Sequence, residues 1–259
     1  MNPPGKLSVI IPARDESGSI RATLCGISST LRARRIPFEI IVVDDGSGDD
    51  TAIQVATAAA SDGAIRLVSN PRQHGFGQAV RYGIERCSGD ALAVMMADGS
   101  DDPADLVTYW TALIEGYDCV FGSRFIRGGS LTDYPGHKLL INRLANSFIR
   151  LLFGLAYNDV TNAFKCYRKE AIAGMQPLVS PHFNLTVEMP LKAIVRGYSY
   201  KVVPISWKNR KAGISKLKLQ EMGSRYLFIV LMMWLEKHLT RGDYCREPGI
   251  PKAAQKVAS

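Results

Sequence analysis

Residues 94–106 read VMMADGSDDPADL, an apolar run that empties into four aspartates, Asp98, Asp101, Asp102 and Asp105. Carboxylates this close repel one another, so the spacing calls for something positive between them. One answer is a helix N-terminus, whose exposed N–H groups favour Asp. That suits Asp105 and one other. The second answer is a hard divalent cation held by two or three of them, because oxygen ligands suit Mg²⁺ or Mn²⁺. Three further polar clusters carry residues fit for chemistry: PARDE at 12–16, DDGSGDD at 44–50 and GSR at 122–124.

These clusters need elements to position them. Apolar, partly β-branched runs at 7–13, 38–46, 64–70, 91–97 and 119–124 read as strands. Amphipathic stretches of helical period lie between them, around 18–34, 49–61, 76–87 and 103–115. Such alternation predicts an α/β fold, a Rossmann-like, mostly parallel sheet with helices on both faces. Ligands of these sheets bind outside the carboxyl ends of the strands. Each polar cluster follows a strand, so the aspartates converge on one rim, which favours the cation. No GxGxxG follows the first strand, and no GxxxxGK[ST] occurs anywhere. GFG at 75–77 is too short to be specific.

The chain of 259 residues, 46% of them apolar, is long enough for one α/β domain with an appended piece. Its five cysteines, at 25, 87, 119, 166 and 245, show no regular spacing. That pattern argues for reduced thiols in the cytoplasm and against a zinc site or a disulfide frame. The N-terminus lacks the layout of a signal peptide. Charge is split: residues 1–120 hold 10 basic against 16 acidic side chains, and residues 121–259 hold 22 against 8. A basic half suits nucleic acid, anionic lipid or a phosphorylated substrate. No nucleic-acid motif or interleaved aromatic platform accompanies it, so nucleic acid is not expected as a partner.

Six segments, VIIPARDES, IIVVDDGSGDDT, MADGSDDP, VFGSRFIRGGSL, DVTNAFKCYRKEA and NRKAGISKLKL, occur in that order. Over residues 6–220 the chain resembles family 2 glycosyltransferases with the A-type fold, and above all the dolichyl- or polyprenyl-phosphate mannose synthases and their bacterial glucosyl relatives. The resemblance implies transfer of a hexose, with inversion, from a nucleotide sugar of the GDP-mannose or UDP-glucose type to a polyprenyl or dolichyl phosphate. It implies a catalytic domain over 1–220.

The resemblance also assigns residues. Pro12, Ala13, Arg14 and Glu16 would meet the nucleotide, and Asp44 would read the base, as a strand-end Asp can accept from a base N–H. The metal motif of the family is Asp-x-Asp. Asp98 matches its first position, but Ser100 stands at the second, so charge balance favours Asp102 or Asp101 as the partner ligand. Mg²⁺ or Mn²⁺ there would neutralise the departing diphosphate. Arg124, Lys138 and Asn142 fall where the family binds the acceptor phosphate, with Lys138 replacing an Arg and Asn142 a Ser. Arg210, Ser215 and Lys216 resemble an acceptor-side loop that Gly213 allows to bend. The catalytic set is thus Asp98, Asp102, Arg124, Arg210 and Lys216. Glu188, on an apolar helix face, is expected to orient a basic loop residue or to pair with Arg168 or Lys192.

Membrane contact follows from the same likeness. YLFIVLMMWL at 226–235 is far short of the ~20 residues that span a bilayer. It reads as core packing, within a C-terminal apolar helix over 221–243 that packs on the catalytic domain or lies at the membrane surface. Residues 139–153 carry Arg143 and Arg150 at helical spacing and read as an interfacial helix on anionic lipid. The polar end, 244–259, reads as a disordered tail. The expected protein is peripheral on the cytoplasmic face of the membrane, with a possible membrane-protein partner. Two alternatives stand: a transferase of the same fold acting on a soluble glycan, and a degenerate relative that only binds nucleotide sugar.

Overall fold

The computed structural model describes residues 3–209 and 219–246. Its centre is a seven-stranded sheet built from β1 (Leu7–Ala13), β2 (Phe38–Asp44), β3 (Ile65–Ser69), β4 (Ala91–Val94), β5 (Cys119–Ser123), β7 (Lys165–Arg168) and β8 (Tyr200–Pro204). The spatial order is β3-β2-β1-β4-β7-β5-β8. β7 runs antiparallel to both β4 and β5, while the other pairs are parallel. Every residue of β1 is buried, as expected of a strand covered on both faces.

Side chains of β1 and β2 alternate between two apolar layers. Leu7, Val9, Ile11, Ile40 and Val42 pack with α1 (Ile20–Ala33) and α4 (Ala104–Ile114). Ile10, Ile41 and Val43 face the other way, against α3 (Phe76–Arg86) and the C-terminal helices. The first four helices, with α2 (Thr51–Ser61), fall inside the stretches read from periodicity.

The second half of the chain departs from simple alternation. A two-stranded parallel ribbon pairs β6 (Ser130–Thr132) with β9 (Ser206–Lys208). Helices α5 (Gly136–Phe153), α6 (Lys169–Gly174), α7 (Leu185–Val195) and α8 (Leu219–Leu239) complete the fold. The segment 226–235 is only half core. Ile229, Val230 and Met233 are buried, whereas Leu227, Phe228, Leu231 and Leu235 are exposed. No helix among the described residues is long and apolar enough to cross a membrane.

The expected disordered tail needs a correction at its start. Arg246 donates to Asp118 Oδ2 at 2.8 Å and, through its backbone N–H, to the Arg196 carbonyl at 2.9 Å. Tyr244 lies under the Arg196 guanidinium, 5.5 Å from it. Residues 244–246 are thus fastened to the sheet by charge that the sequence did not pair.

GFG at 75–77 has a packing explanation. A Cβ on Gly77 would lie 2.2 Å from the Ser180 carbonyl oxygen, so only glycine lets α3 approach the 180–182 segment. Phe76 stacks on Phe183 at 4.3 Å across the same contact.

Candidate active site

The turns after β1 and β2 are sewn to each other. Glu16 donates its N–H to Thr51 Oγ1 at 2.8 Å, Ser17 to Asp49 Oδ2 at 3.1 Å, and Gly48 to Asp15 Oδ1 at 2.7 Å. Asp15 adopts a left-handed φ of 52° to make this turn, a conformation Asp tolerates better than most residues. Pro12 and Ala13 form the buried floor, with Arg14 exposed and Glu16 half-buried above it. Asp44 closes β2 and accepts from the N–H of Ser47 at 3.2 Å.

Its neighbour Asp45 is occupied elsewhere. Buried, it accepts from Asn70 Nδ2 at 2.7 Å and from the Gly75 N–H at 2.8 Å. Asp45 therefore anchors the loop between β3 and α3, and Asp44 is the carboxylate presented at the rim.

The four aspartates of the third turn separate into distinct roles. Asp98 is half-buried, with Oδ1 accepting from the Ser100 N–H at 3.0 Å. Asp101 turns inward, buried, to accept from the Met96 N–H at 3.0 Å. Burial pushes it up to about 7, and the nearby Asp98 adds to that against the hydrogen bond from Met96. Asp102 is exposed and accepts from the Ala104 N–H at 2.9 Å, so it serves the start of α4. Asp105 accepts from the Ser206 N–H at 2.9 Å, and burial pushes it up to about 6.

Asp105 lies in the first turn of α4, as the sequence reading had it, and two of the four carboxylates have partners that the spacing did not show. Asp101 faces the strand and not the open rim, because its carboxylate satisfies a backbone donor that the end of β4 leaves bare. Asp105 binds the ribbon strand β9, which a Lys208 N–H to Ser100 carbonyl bond of 2.9 Å also bolts to the turn. Ser100 is itself buried. Among the described residues no cluster of three His, Cys, Asp or Glu side chains stands ready to hold a metal. The donor set fits an ion that takes one or two carboxylates, Asp98 first, and completes its shell with water and ligand oxygens.

Arg124 follows β5 onto the same rim. It is not an open phosphate fork. Asp159 Oδ2 accepts from Arg124 Nε at 2.8 Å and Asp159 Oδ1 from Nη2 at 2.7 Å, with the Arg124 backbone N–H adding a third bond at 3.0 Å. Both side chains are buried. Phe125, Tyr134 and Trp207 rings surround the guanidinium at 5.3, 5.8 and 6.0 Å. The Asp159 fork leaves Nη1 outside it.

The antiparallel strand explains how Asp159 arrives there. Lys165 opens β7 opposite Val94, the last residue of β4, so the 158–164 segment crosses the rim. Lys165 Nζ ties that segment down through the carbonyls of Val160, Asn162 and Thr186. Burial brings Lys165 down to about 7. Asp159 and Lys165 received no role in the sequence reading. A buried arginine needs a carboxylate, and between residues 134 and 169 Asp159 is the sole acid, which was a usable signal.

Lys138 lies in the first turn of α5, half-buried. Asn142, one turn on, donates through Nδ2 to Thr161 Oγ1 at 2.9 Å and accepts from Asn146 at 3.0 Å. Its carboxamide is thus largely committed to the fold. Glu188 pairs with Lys192 at 2.7 Å and accepts from the N–H groups of Val179 and Ser180. It is a structural carboxylate, and Arg168 instead donates to the carbonyls of Tyr117 and Leu113. Arg210, Ser215 and Lys216, with Gly213, lie outside the described residues.

Known proteins share this architecture. A family model described as glycosyl transferase family 2 matches residues 8–174. A polyprenol monophosphomannose synthase of Mycolicibacterium smegmatis is 30% identical over 223 residues, 84% of this chain and 83% of that one. An undecaprenyl-phosphate mannosyltransferase of Micrococcus luteus is 29% identical over 218 residues, covering 82% and 87%. The glucosyl-3-phosphoglycerate synthase of Mycobacterium tuberculosis, solved with Mn²⁺, UDP and phosphoglyceric acid, superposes with a TM-score of 0.66 at 21% identity, over 90% of this chain and 78% of that one. Its likeness shows the shared A-type fold. With that fold, and with a family model that spans most of the sheet and its rim, the chain belongs to glycosyl transferase family 2 and is a glycosyltransferase.

Proposed function

We propose that this enzyme moves a hexose from a nucleotide sugar to a polyprenyl phosphate at a membrane surface. The observation that carries the reading is the exposed apolar face of α5, the helix that follows the Arg124 turn. Leu140, Ile141, Leu144, Phe148 and Leu151 all face solvent there, and Lys138, Arg143 and Arg150 lie on the same helix. An amphipathic helix of this kind suits the interface of an anionic bilayer. A soluble acceptor has no use for it. The match to polyprenyl-phosphate mannosyltransferases over four-fifths of the chain points the same way.

In this reading Pro12, Ala13, Arg14 and Glu16 cradle the nucleotide and Asp44 reads the base. Asp98, with Asp102 as the exposed carboxylate of the same turn, would hold Mg²⁺ or Mn²⁺ together with the donor. The ion supplies charge to stabilise the departing diphosphate. The acceptor needs no general base, because a lipid phosphate is already anionic at neutral pH. Its oxygen forms the new bond to the anomeric carbon as the bond to the diphosphate breaks, and the configuration inverts. Arg124, Lys138, Asn142 and the loop residues Arg210, Ser215 and Lys216 hold the acceptor phosphate.

Incubation of the purified chain with GDP-mannose or UDP-glucose, short polyprenyl phosphates and Mg²⁺ or Mn²⁺ tests this. A chloroform-soluble hexosyl phosphate product supports the reading. Transfer confined to water-soluble acceptors, such as a glycan or phosphoglycerate, contradicts it.

A further inference from the structure

Arg143 lies on α5, one residue beyond Asn142 and a little over one turn beyond Lys138. Its guanidinium stacks on the Phe125 ring at 4.3 Å. The same ring lies 5.3 Å from Arg124, so two arginines share one aromatic residue. Their electrostatic situations differ. Arg124 is neutralised by Asp159 through two side-chain bonds. Arg143 has no carboxylate partner among the described residues, and no Asp or Glu occurs between residues 134 and 158.

The decisive feature is Nη1 of Arg143. It is buried, yet among the described residues it meets no hydrogen-bond acceptor. A buried donor on a permanent cation is costly to leave unmade, and native chains leave few of them. Phe125 itself is held firmly. Its N–H donates to Ser123 Oγ at 3.2 Å, and its carbonyl accepts from Asn158 Nδ2 at 3.2 Å. The ring therefore fixes the guanidinium plane beside the rim without satisfying its N–H groups.

We propose that Arg143 is a direct phosphate ligand of the acceptor site, its Nη1 donating to a phosphate oxygen of the acceptor beside the Phe125 ring that it shares with Arg124. The assignment deepens the reading of a polyprenyl-phosphate acceptor and rests on it. It also resolves a chemical shortfall. Lys138 binds phosphate as a point charge and the Asn142 carboxamide is largely committed to the fold, so Arg143 supplies the planar fork that neither offers.

The test compares wild type with Arg143→Gln and Arg143→Lys by calorimetric titration with geranyl phosphate, and separately with GDP-mannose and UDP-glucose. Thermal melting checks that each variant folds. Arg143→Gln is expected to weaken geranyl phosphate about 10- to 100-fold, the loss of one charge-assisted bond. Arg143→Lys, which keeps the charge and the stem on Phe125, falls between. Donor affinity stays within about twofold in both. Unchanged geranyl phosphate binding in a folded Arg143→Gln protein overturns the assignment, as does an equal fall in donor affinity, which would place the diphosphate there. Should wild type bind geranyl phosphate through Arg143 yet transfer no sugar to it, the assignment stands and the proposed reaction fails.

Discussion

Arg124 and Asp159 stand 35 residues apart in sequence and are joined by three hydrogen bonds, one from the Arg124 backbone and two from its guanidinium. The pair is a hinge pin between the end of β5 and the segment that leads into β7. It fixes one edge of the guanidinium so that the remaining nitrogen has a defined direction.

Breaking that pair from one side leaves a buried charge without its partner. Asp159→Ala is expected to lower stability by about 3–5 kcal/mol, read from urea unfolding. The double variant Arg124→Met, Asp159→Leu should recover most of that loss, since an apolar pair of similar volume fits a buried site. It should still transfer no sugar. Full activity in the double variant would remove Arg124 from the chemistry.

Asp98, Asp102 and Ser100 of the third turn should rank in that order in metal-dependent donor binding. Asp98→Ala is expected to abolish transfer and the metal-dependent part of donor binding, measured by titration with and without EDTA. Asp102→Ala should weaken metal-dependent donor binding more than Ser100→Ala and lose about 1 kcal/mol of stability with its bond to the Ala104 N–H. A larger donor loss in Ser100→Ala would make the hydroxyl the second ligand.

The far end of the sheet offers a pH test that does not involve the site. Burial alone would push Glu39 up, but bonds from Ser8 Oγ at 2.7 Å and from the Ser88 N–H and hydroxyl outweigh it and bring it down to about 2. A lowered folded value means stability that is fully present above the ordinary value of 4.5 and is lost as pH falls toward 2. Glu39→Gln should therefore cost about 2–3 kcal/mol at pH 7, with the gap to wild type closing between about pH 4.5 and 2. A gap independent of pH would mean that shape, not charge, matters there.

Binding to anionic liposomes is expected to weaken as salt rises, because surface charge is screened within about 10 Å at 0.1 M. Co-sedimentation of wild type and of a Leu144→Glu, Phe148→Glu protein reads the apolar share. Those two side chains are exposed on α5, so the variant should fold normally and release the vesicles. Retained binding would move the membrane face away from α5.

The first half of the fold was legible because each strand there is an apolar run closed by polar or glycine residues. β1 and its neighbours follow that pattern closely. The second half was not, because β7 is four residues long and runs against its neighbours, which no periodicity announces. The same insertion hid Asp159, whose partner is distant in sequence. The inward turn of Asp101 onto the Met96 N–H was not legible, because sequence spacing does not say which of two adjacent side chains faces a bare N–H. Arg143 looked like one more basic residue on a surface helix until its place on Phe125 was visible.

Mass spectrometry of the lipid fraction, after incubation with a nucleotide sugar, a C55 polyprenyl phosphate and Mg²⁺ or Mn²⁺, reads hexose transfer to the lipid itself. One hexose is expected on the lipid phosphate, in amounts that rise with enzyme and vanish with EDTA or with Asp98→Ala. Unmodified lipid beside a glycosylated water-soluble acceptor would contradict transfer to the lipid.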